Sequence, residues 1–352
     1  MNLEYRLSER KKALLNAIIR DYITHGEPIG SRTIVKRHGF SLSPATIRNE
    51  MAELEEVGLL DQPHTSAGRI PSHMGYRFFV DHLMEAYLPT SEEQQFIRRL
   101  EQTSKAIDAI LEQGIRTLSE ATQSIVLAEP PHLRQNPLKS LSVTPIEDNS
   151  MVLSLYFRNG MRRQSFIRLS QPLYSDVMSL LSNYLNAQLS QGISLDMLFH
   201  RLASVPIERE IQLYKEALLD MVSEIYAQAQ RDEKVHLVGT SYLLREPEFQ
   251  SIEQAFPILQ FLEQEQSIRQ LFHHCGEGNA NNAHHVYCFI GRENSYEALR
   301  NCSFIATPYF IDTKASGMIG VLGPTRMDYS KVMALLQSVA TNISKSISDL
   351  FT

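Results

Sequence analysis

Two short helix patterns joined by a tight turn constrain this chain more than any other feature. Ser31-Arg32-Thr33-Ile34-Val35-Lys36-Arg37-His38 reads as a first helix, Gly39-Phe40 as the turn, and Ser43-Pro44-Ala45-Thr46-Ile47-Arg48-Asn49-Glu50-Met51 as the start of a second. Ser43 supplies an N-cap oxygen, and Pro44 fits the first helical position, where its missing N–H would be unpaired anyway. The second helix therefore begins sharply, and Gly58 closes it. This is the pattern of a helix-turn-helix whose second helix enters a DNA groove.

Spacing separates packing from reading on that second helix. Ile47, Met51 and Leu54 recur at i, i+4 and i+7 and form a buried stripe, while Ala45, Arg48, Asn49 and Ala52 fall on or beside the opposite face. Arg can fork onto guanine, Asn can pair with adenine, and small residues let the helix sit deep in the major groove. Ser43, Ala45 and Thr46 in the first turn are thus expected at the DNA together with Arg48 and Asn49. An ordinary solvated helix would also carry an Arg and an Asn, but two neighbouring features favour the reading helix.

Upstream, Ser8 precedes a helix pattern with Leu14, Leu15, Ile18, Ile19, Tyr22 and Ile23 along one broad face, closed by Gly26 and followed by Pro28. This supplies the third helix on which such a motif packs. Downstream, Leu59-Leu60-Asp61 reads as a short strand and residues 63–71 as a hairpin tip, a wing in which Thr65, Ser66 and Arg69 would contact phosphates or the minor groove. Arg32, Lys36 and Arg37 would sit over the phosphate backbone, positioning the motif without specifying sequence. Residues 1–80 carry 11 Lys and Arg against 9 Asp and Glu, a net +2, whereas the rest of the chain carries a net −8. That balance is weakly basic, and Glu53, Glu55 and Glu56 crowd the end of the reading helix, so binding independent of sequence should be feeble unless a dimer doubles the footprint.

At 352 residues the chain has room for two or three domains. Its three cysteines, Cys275, Cys288 and Cys302, lack framework spacing, which suits a reducing compartment. No apolar run approaches a membrane span, and the charged start is unlike a secretory signal, so a cytoplasmic protein without membrane contact is expected.

From residue 91 to about 128, apolar or small residues at Ile97, Leu100, Ser104, Ile107, Leu111, Gly114, Leu118, Ala121 and Ile125 alternate at three and four. Either a coiled-coil seam or a long helix lying on its own domain's sheet would show this, and Ser104 and Gly114 weaken the seam. Strands are expected at 141–146, 151–157 and 163–169, the last two joined by an Asn159-Gly160 turn. A helical block follows at 171–230, then an apolar run at 235–244 and a helix at 256–272. Strands return at 286–291, 304–311 and 317–323, and a helix closes the chain from 330 to 350. The sheet signal is thus split around a helical insertion.

No catalytic constellation stands out. The stretch Gly317-Met318-Ile319-Gly320-Val321-Leu322-Gly323-Pro324-Thr325-Arg326 lacks the Lys-Ser/Thr of a phosphate loop and suits tight strand turns. His273-His274-Cys275 with His284, His285 and Cys288 offers ligand-type residues, but the Gly and Asn residues between them read as a polar loop. No enzyme, metal or cofactor is expected.

Four separated segments carry a resemblance. They are Ser43 to Met51; Thr65-Ser66-Ala67-Gly68-Arg69-Ile70-Pro71 with Gly75-Tyr76-Arg77; Ile290-Gly291-Arg292-Glu293-Asn294 with Cys302-Ser303; and Gly320-Val321-Leu322-Gly323-Pro324-Thr325-Arg326-Met327-Asp328-Tyr329. In order along nearly the whole chain they resemble the HrcA family of bacterial heat-inducible transcription repressors. The polar loop at 273–285 departs from the family pattern.

The resemblance implies an α+β protein: a winged helix-turn-helix at 1–80, a linker helix and first part of a GAF-like α/β regulatory domain at 81–170, an inserted, mainly helical dimerisation domain at 171–272, and the second part of the GAF-like domain at 273–352. It further implies a homodimer on double-stranded DNA at an inverted-repeat operator, the CIRCE element, ahead of chaperone operons. The GroEL chaperonin would keep the repressor active, so that unfolded protein, by occupying chaperonin, releases chaperone synthesis. A regulator gated by a small molecule or a metal through the GAF-like domain is the alternative.

Overall fold

Capping and apolar spacing set the N-terminal elements of the computed structural model, which describes residues 7–64, 67–98, 107–131, 138–147, 149–158, 162–169, 172–189, 193–204, 213–231, 234–277, 286–311 and 314–349. Helix α1 (Glu9–His25) starts at Ser8, whose side chain accepts from the Lys11 N–H at 3.4 Å, and it buries Leu14, Leu15, Ile18 and Ile19. Helix α2 (Ser31–His38) starts at Gly30 without a side-chain cap and ends at Gly39, whose φ of 65° lies in the left-handed region that glycine adopts without a Cβ clash. Helix α3 (Pro44–Glu56) begins as its sequence indicates: Ser43 Oγ accepts from the Thr46 N–H at 3.1 Å. Strands β1 (Leu60–Asp61) and β2 (Ile70–Pro71) pair antiparallel, and Ile29 joins Arg69 in a bridge whose two N–H···O contacts are each 2.9 Å. Helix α4 (His73–Phe78) continues through one π-helical turn to Leu83, burying Tyr76, Phe78 and Phe79.

The expected long helix at 91–128 is two helices and a strand. Helix α5 (Ser91–Arg98) and helix α6 (Ile107–Thr122) precede strand β3 (Ile125–Ala128), with Leu100 and Ser104 outside the described residues. Ile107, Leu111 and Leu118 of that run are buried within the chain. Gly114 is where another helix comes close: a Cβ there would collide with the Ile343 side chain.

Strands β4 (Leu138–Glu147), β5 (Ser150–Phe157) and β6 (Arg162–Arg168) form an antiparallel meander of their own. This corrects the expected grouping, in which they shared a sheet with the later strands; the Asn159-Gly160 turn lies outside the described residues. The physical reason is one-sided burial. Met151, Leu153, Leu155 and Phe157 alternate on the covered face, and helix α7 (Ser175–Leu189) and helix α9 (Lys215–Arg231), with α8 (Leu195–Ser204) between them in sequence, bury Met178, Leu181, Leu185, Leu218 and Met221 in the same core. Asn186 of α7 clamps β4, its side-chain amide pairing with both the N–H and the carbonyl of Leu141 at 2.8 Å.

Strand β7 (His236–Val238) returns to β3. It is followed by α10 (Thr240–Leu243), α11 (Ile252–Glu263), α12 (Glu265–Glu277), β8 (Tyr287–Ile290), β9 (Cys302–Ile311), β10 (Lys314–Pro324) and α13 (Tyr329–Asp349). The resulting sheet runs β7-β3-β10-β9-β8, antiparallel throughout. Both faces are covered, which explains why β9 and β10 read as continuous apolar runs. Ile305, Tyr309, Ile319 and Val321 share a core with α6 and α13; Phe304, Ala306 and Leu322 share another with α11 and α12, where the Phe272 and Phe304 ring centres are 5.6 Å apart. The chain is thus α+β, and among the described residues no helix is long and apolar enough to cross a membrane.

Candidate nucleic-acid interface

Helix α3 buries Ile47, Met51 and Leu54 and turns Ala45, Arg48 and Asn49 to solvent, the division its spacing predicts. Neither the Arg48 nor the Asn49 side chain has a hydrogen-bond or ion-pair partner among the described residues. Ser43 and Thr46 are occupied with capping, their hydroxyls 3.0 Å apart. On α2, Arg32 and Lys36 are exposed beside this face, again without described partners.

Two expected phosphate contacts are placed differently. Arg37 donates to Asp21 at 2.8 Å, and Arg69 pairs with Glu55 at 2.7 Å with only 17% of its side chain exposed. Each guanidinium is paired with a carboxylate of its own fold, Arg69 largely buried and Arg37 still 45% exposed. Thr65 and Ser66 lie outside the described residues; the hairpin that carries them is closed by Gln62, whose amide donates to the Ala67 carbonyl at 3.1 Å. Charge is settled as well. Of the acids on α3, Glu50 pairs with Arg10, Glu53 with Lys11 and Glu55 with Arg69, which removes most of the repulsion the sequence places beside a polyanion.

Asp21 is almost fully buried, with Arg37, His25 at 3.6 Å and His38 at 3.5 Å around it. Removing Arg37 leaves a buried carboxylate short of its strongest partner. Arg37→Ala is therefore expected to cost ~1–3 kcal/mol of stability in urea unfolding, and much less in an Asp21→Asn background.

A second constellation has no signal in local spacing, because its members are far apart in sequence. The Arg77 guanidinium donates to Glu293 at 2.8 Å from Nε, and also to Asp81 at 3.2 Å and to the Cys288 carbonyl. His73 Nδ1 accepts from the Arg292 N–H at 3.3 Å, and burial together with the Arg292 charge holds this imidazole below its ordinary pKa. The Tyr76 and Tyr329 rings are 5.8 Å apart, and the Tyr329 hydroxyl lies 2.8 Å from Ser303 Oγ. Arg326 reaches Glu246, Glu248 and, at 3.5 Å, the Ile23 carbonyl of α1. Asn294 holds the 291–302 turn together by donating to the carbonyls of Gly291, Leu299 and Cys302 at 2.9, 3.2 and 3.0 Å. Tyr76, Arg77, Arg292, Glu293, Asn294, Ser303, Arg326 and Tyr329 among them belong to the sequence motifs, and together these contacts seat α1 and α4 on the five-stranded sheet.

Between the root of the β1–β2 pair and that turn lies an open polar cleft of about 1120 Å³, lined by Asp61, His73, Arg292, Glu297 and Arg300 among others. Among the described residues no three His, Cys, Asp or Glu side chains converge as metal ligands. Burial pushes the Cys275, Cys288 and Cys302 thiols up to about 12, so they stay protonated near neutral pH, and Cys275 donates to the Leu271 carbonyl at 3.4 Å. His273, His274 and Cys275 belong to α12; His284 and His285 lie outside the described residues.

An exposed Arg/Asn face on a capped helix, joined to an α+β body, is an arrangement that suits a transcription regulator. Comparison with known proteins makes the class specific. The chain belongs to the HrcA family of heat-inducible transcription repressors: the family model "HrcA protein C terminal domain" matches residues 108–333. The chain is 36% identical over 351 residues to the heat-inducible transcription repressor HrcA of Moorella thermoacetica, covering 98% of this chain and 99% of the relative. It is 34% identical over 348 residues to the repressor of the same name from Bacillus pumilus, covering 98% and 99%. A crystal structure described as that of a hypothetical protein at 2.2 Å superposes with a TM-score of 0.61 and 19% identity over 98% of this chain and 99% of the other, which establishes a shared fold. The chain is therefore a DNA-binding repressor of heat-inducible transcription, as its sequence motifs suggest.

Proposed function

We propose that this repressor reads an inverted-repeat operator, the CIRCE element of its family, as a homodimer. In this reading residues 8–83 form a winged helix-turn-helix, with α3 as the recognition helix and the β1–β2 hairpin as the wing. The observation that carries it is the exposed face of Ala45, Arg48 and Asn49, without a partner among the described residues, on a helix whose own acids are largely paired with cations. Arg48 and Asn49 contact base edges, Arg32 and Lys36 contact phosphates, and the hairpin tip with Thr65 and Ser66 follows the adjacent backbone. Arg37 and Arg69 brace the motif from behind.

The five-stranded sheet with α6, α11, α12 and α13 is the GAF-like regulatory unit, and residues 138–231, in place of the expected 171–272, are the insertion that brings two copies together, since β4 to β6 form a sheet of their own and α11 and α12 pack on the five-stranded one. Exposed Phe166, Met197 and Tyr174 on that insertion support a dimer contact there. GroEL maintains the active population. Footprinting purified protein on its own chaperone-operon promoters tests the reading: protection of an inverted repeat, stronger after chaperonin treatment, is expected. Protection that ignores the repeat would refute it. A small effector, on the alternative reading, would occupy the polar cleft beside His73, and adding chaperonin would then change nothing.

A further inference from the structure

The motifs Gly75-Tyr76-Arg77, Gly291 to Asn294 and Thr325 to Tyr329 have no task in the reading proposed above, yet the fold gathers them at one seam. Among the described residues, polar ties at three places cross it beside the Tyr76–Tyr329 ring contact. Arg77 ties α4 to the β8 end through Glu293 and the Cys288 carbonyl; His73 ties the start of α4 to Arg292; and Arg326 ties the C-terminal end of α1 to the Glu246 and Glu248 carboxylates. A unit held only by its covalent connection keeps its rotational freedom, whereas attachment at three separated points removes it. The guanidiniums suit that task, because a planar fork shared between two acceptors fixes direction as well as distance. Arg326 is largely buried in its contact, with 16% of its side chain exposed.

We propose that Arg77 and Arg326 are positioning residues that fix α3 relative to the five-stranded sheet and thereby set the half-site spacing that the dimer accepts. This rests on the recognition-helix reading above. In a dimer, engagement of the second half-site is intramolecular, and its effective concentration depends on whether the second reading head already points at its site. A rigid seam gives a sharp dependence on spacing. A loosened seam lets each head search, so the native spacing loses its advantage while each head still reads its own half-site.

Full-length protein tests this with three duplexes: the inverted repeat at native spacing, the same repeat with ~5 bp inserted, which turns the second half-site to the opposite side of the helix, and a single half-site. The unaltered protein is expected to prefer native spacing by roughly a hundredfold. Arg77→Ala and Arg326→Ala should each narrow that preference at least ~tenfold, with half-site affinity held within about twofold. Arg77→Lys, which keeps a donor and a positive charge toward Glu293 and Asp81, should recover part of the discrimination lost in Arg77→Ala, which a loss of folding would not allow. An unchanged spacing profile in both alanine variants overturns the inference, as does loss of half-site binding in parallel with the rest, because the seam would then serve folding and not geometry. Failure of the unaltered protein to prefer the half-site over scrambled DNA is a different result: it sinks the recognition-helix reading, and the inference with it.

Discussion

Arg48→Ala is expected to bind the operator more weakly by ~2–6 kcal/mol per dimer on the proposed reading, in which each base-edge contact contributes ~1–3 kcal/mol and two copies each make it. The same substitution leaves the thermal midpoint nearly unchanged. Arg48 is exposed and has no partner among the described residues, so truncation removes only what it would touch on DNA. Asn49→Ala should behave alike, each variant relaxing discrimination at a different base pair. Arg32→Ala and Lys36→Ala should differ in kind: they weaken all sequences evenly and reduce the salt slope by about 1 for each phosphate that is no longer neutralised. Arg69→Ala belongs to neither group, because its guanidinium is committed to Glu55; its effect should appear in stability. Competition binding across single-base operator variants separates the three behaviours. Unchanged selectivity in both Arg48→Ala and Asn49→Ala would move the reading role away from α3.

What the sequence revealed and what it hid divide by range. Ser43, Pro44 and Gly39 act on residues within a turn or so of themselves, and the caps and turn they indicate are the ones observed. The stripe of Ile47, Met51 and Leu54 is equally local, so the outward face of α3 was legible from spacing alone. The ion pairs of Arg37 and Arg69 were not legible because a cation on a basic surface and a cation facing a carboxylate look the same until the partner is known, and Asp21 and Glu55 lie on other elements. Strands β4 to β6 alternated clearly, yet alternation fixes which face is buried and says nothing about which strand lies alongside. The seam was the least legible: Arg77 meets Glu293, and Arg326 meets Glu246 and Ile23, only after the whole sheet has closed. Resemblance singled out those residues without giving them a task.

Heating the purified protein is expected to abolish operator binding in step with loss of tertiary structure, and GroEL with its cochaperonin and ATP is expected to return it without any small molecule. Folded domains hold only ~5–15 kcal/mol in reserve, so a repressor near the lower end loses its active population under modest stress. The N-terminal unit has features that keep its margin small. It buries two carboxylates, Asp21 and Glu50, whose cationic partners Arg37 and Arg10 are about half exposed, so solvent competes for the charges that neutralise them. Once α1 loosens, α3 loses the surface against which Ile47, Met51 and Leu54 are packed, and the reading face loses its shape. A chaperonin binds non-native chains and not the native complex, so it changes how many dimers are active and not how tightly each one binds. Active-site titration should accordingly find more binding sites at the same Kd after chaperonin treatment. If the active fraction instead stays constant with chaperonin, while a metal ion or a metabolite from cell extract restores binding to protein never exposed to it, then effector gating replaces folding as the regulated step.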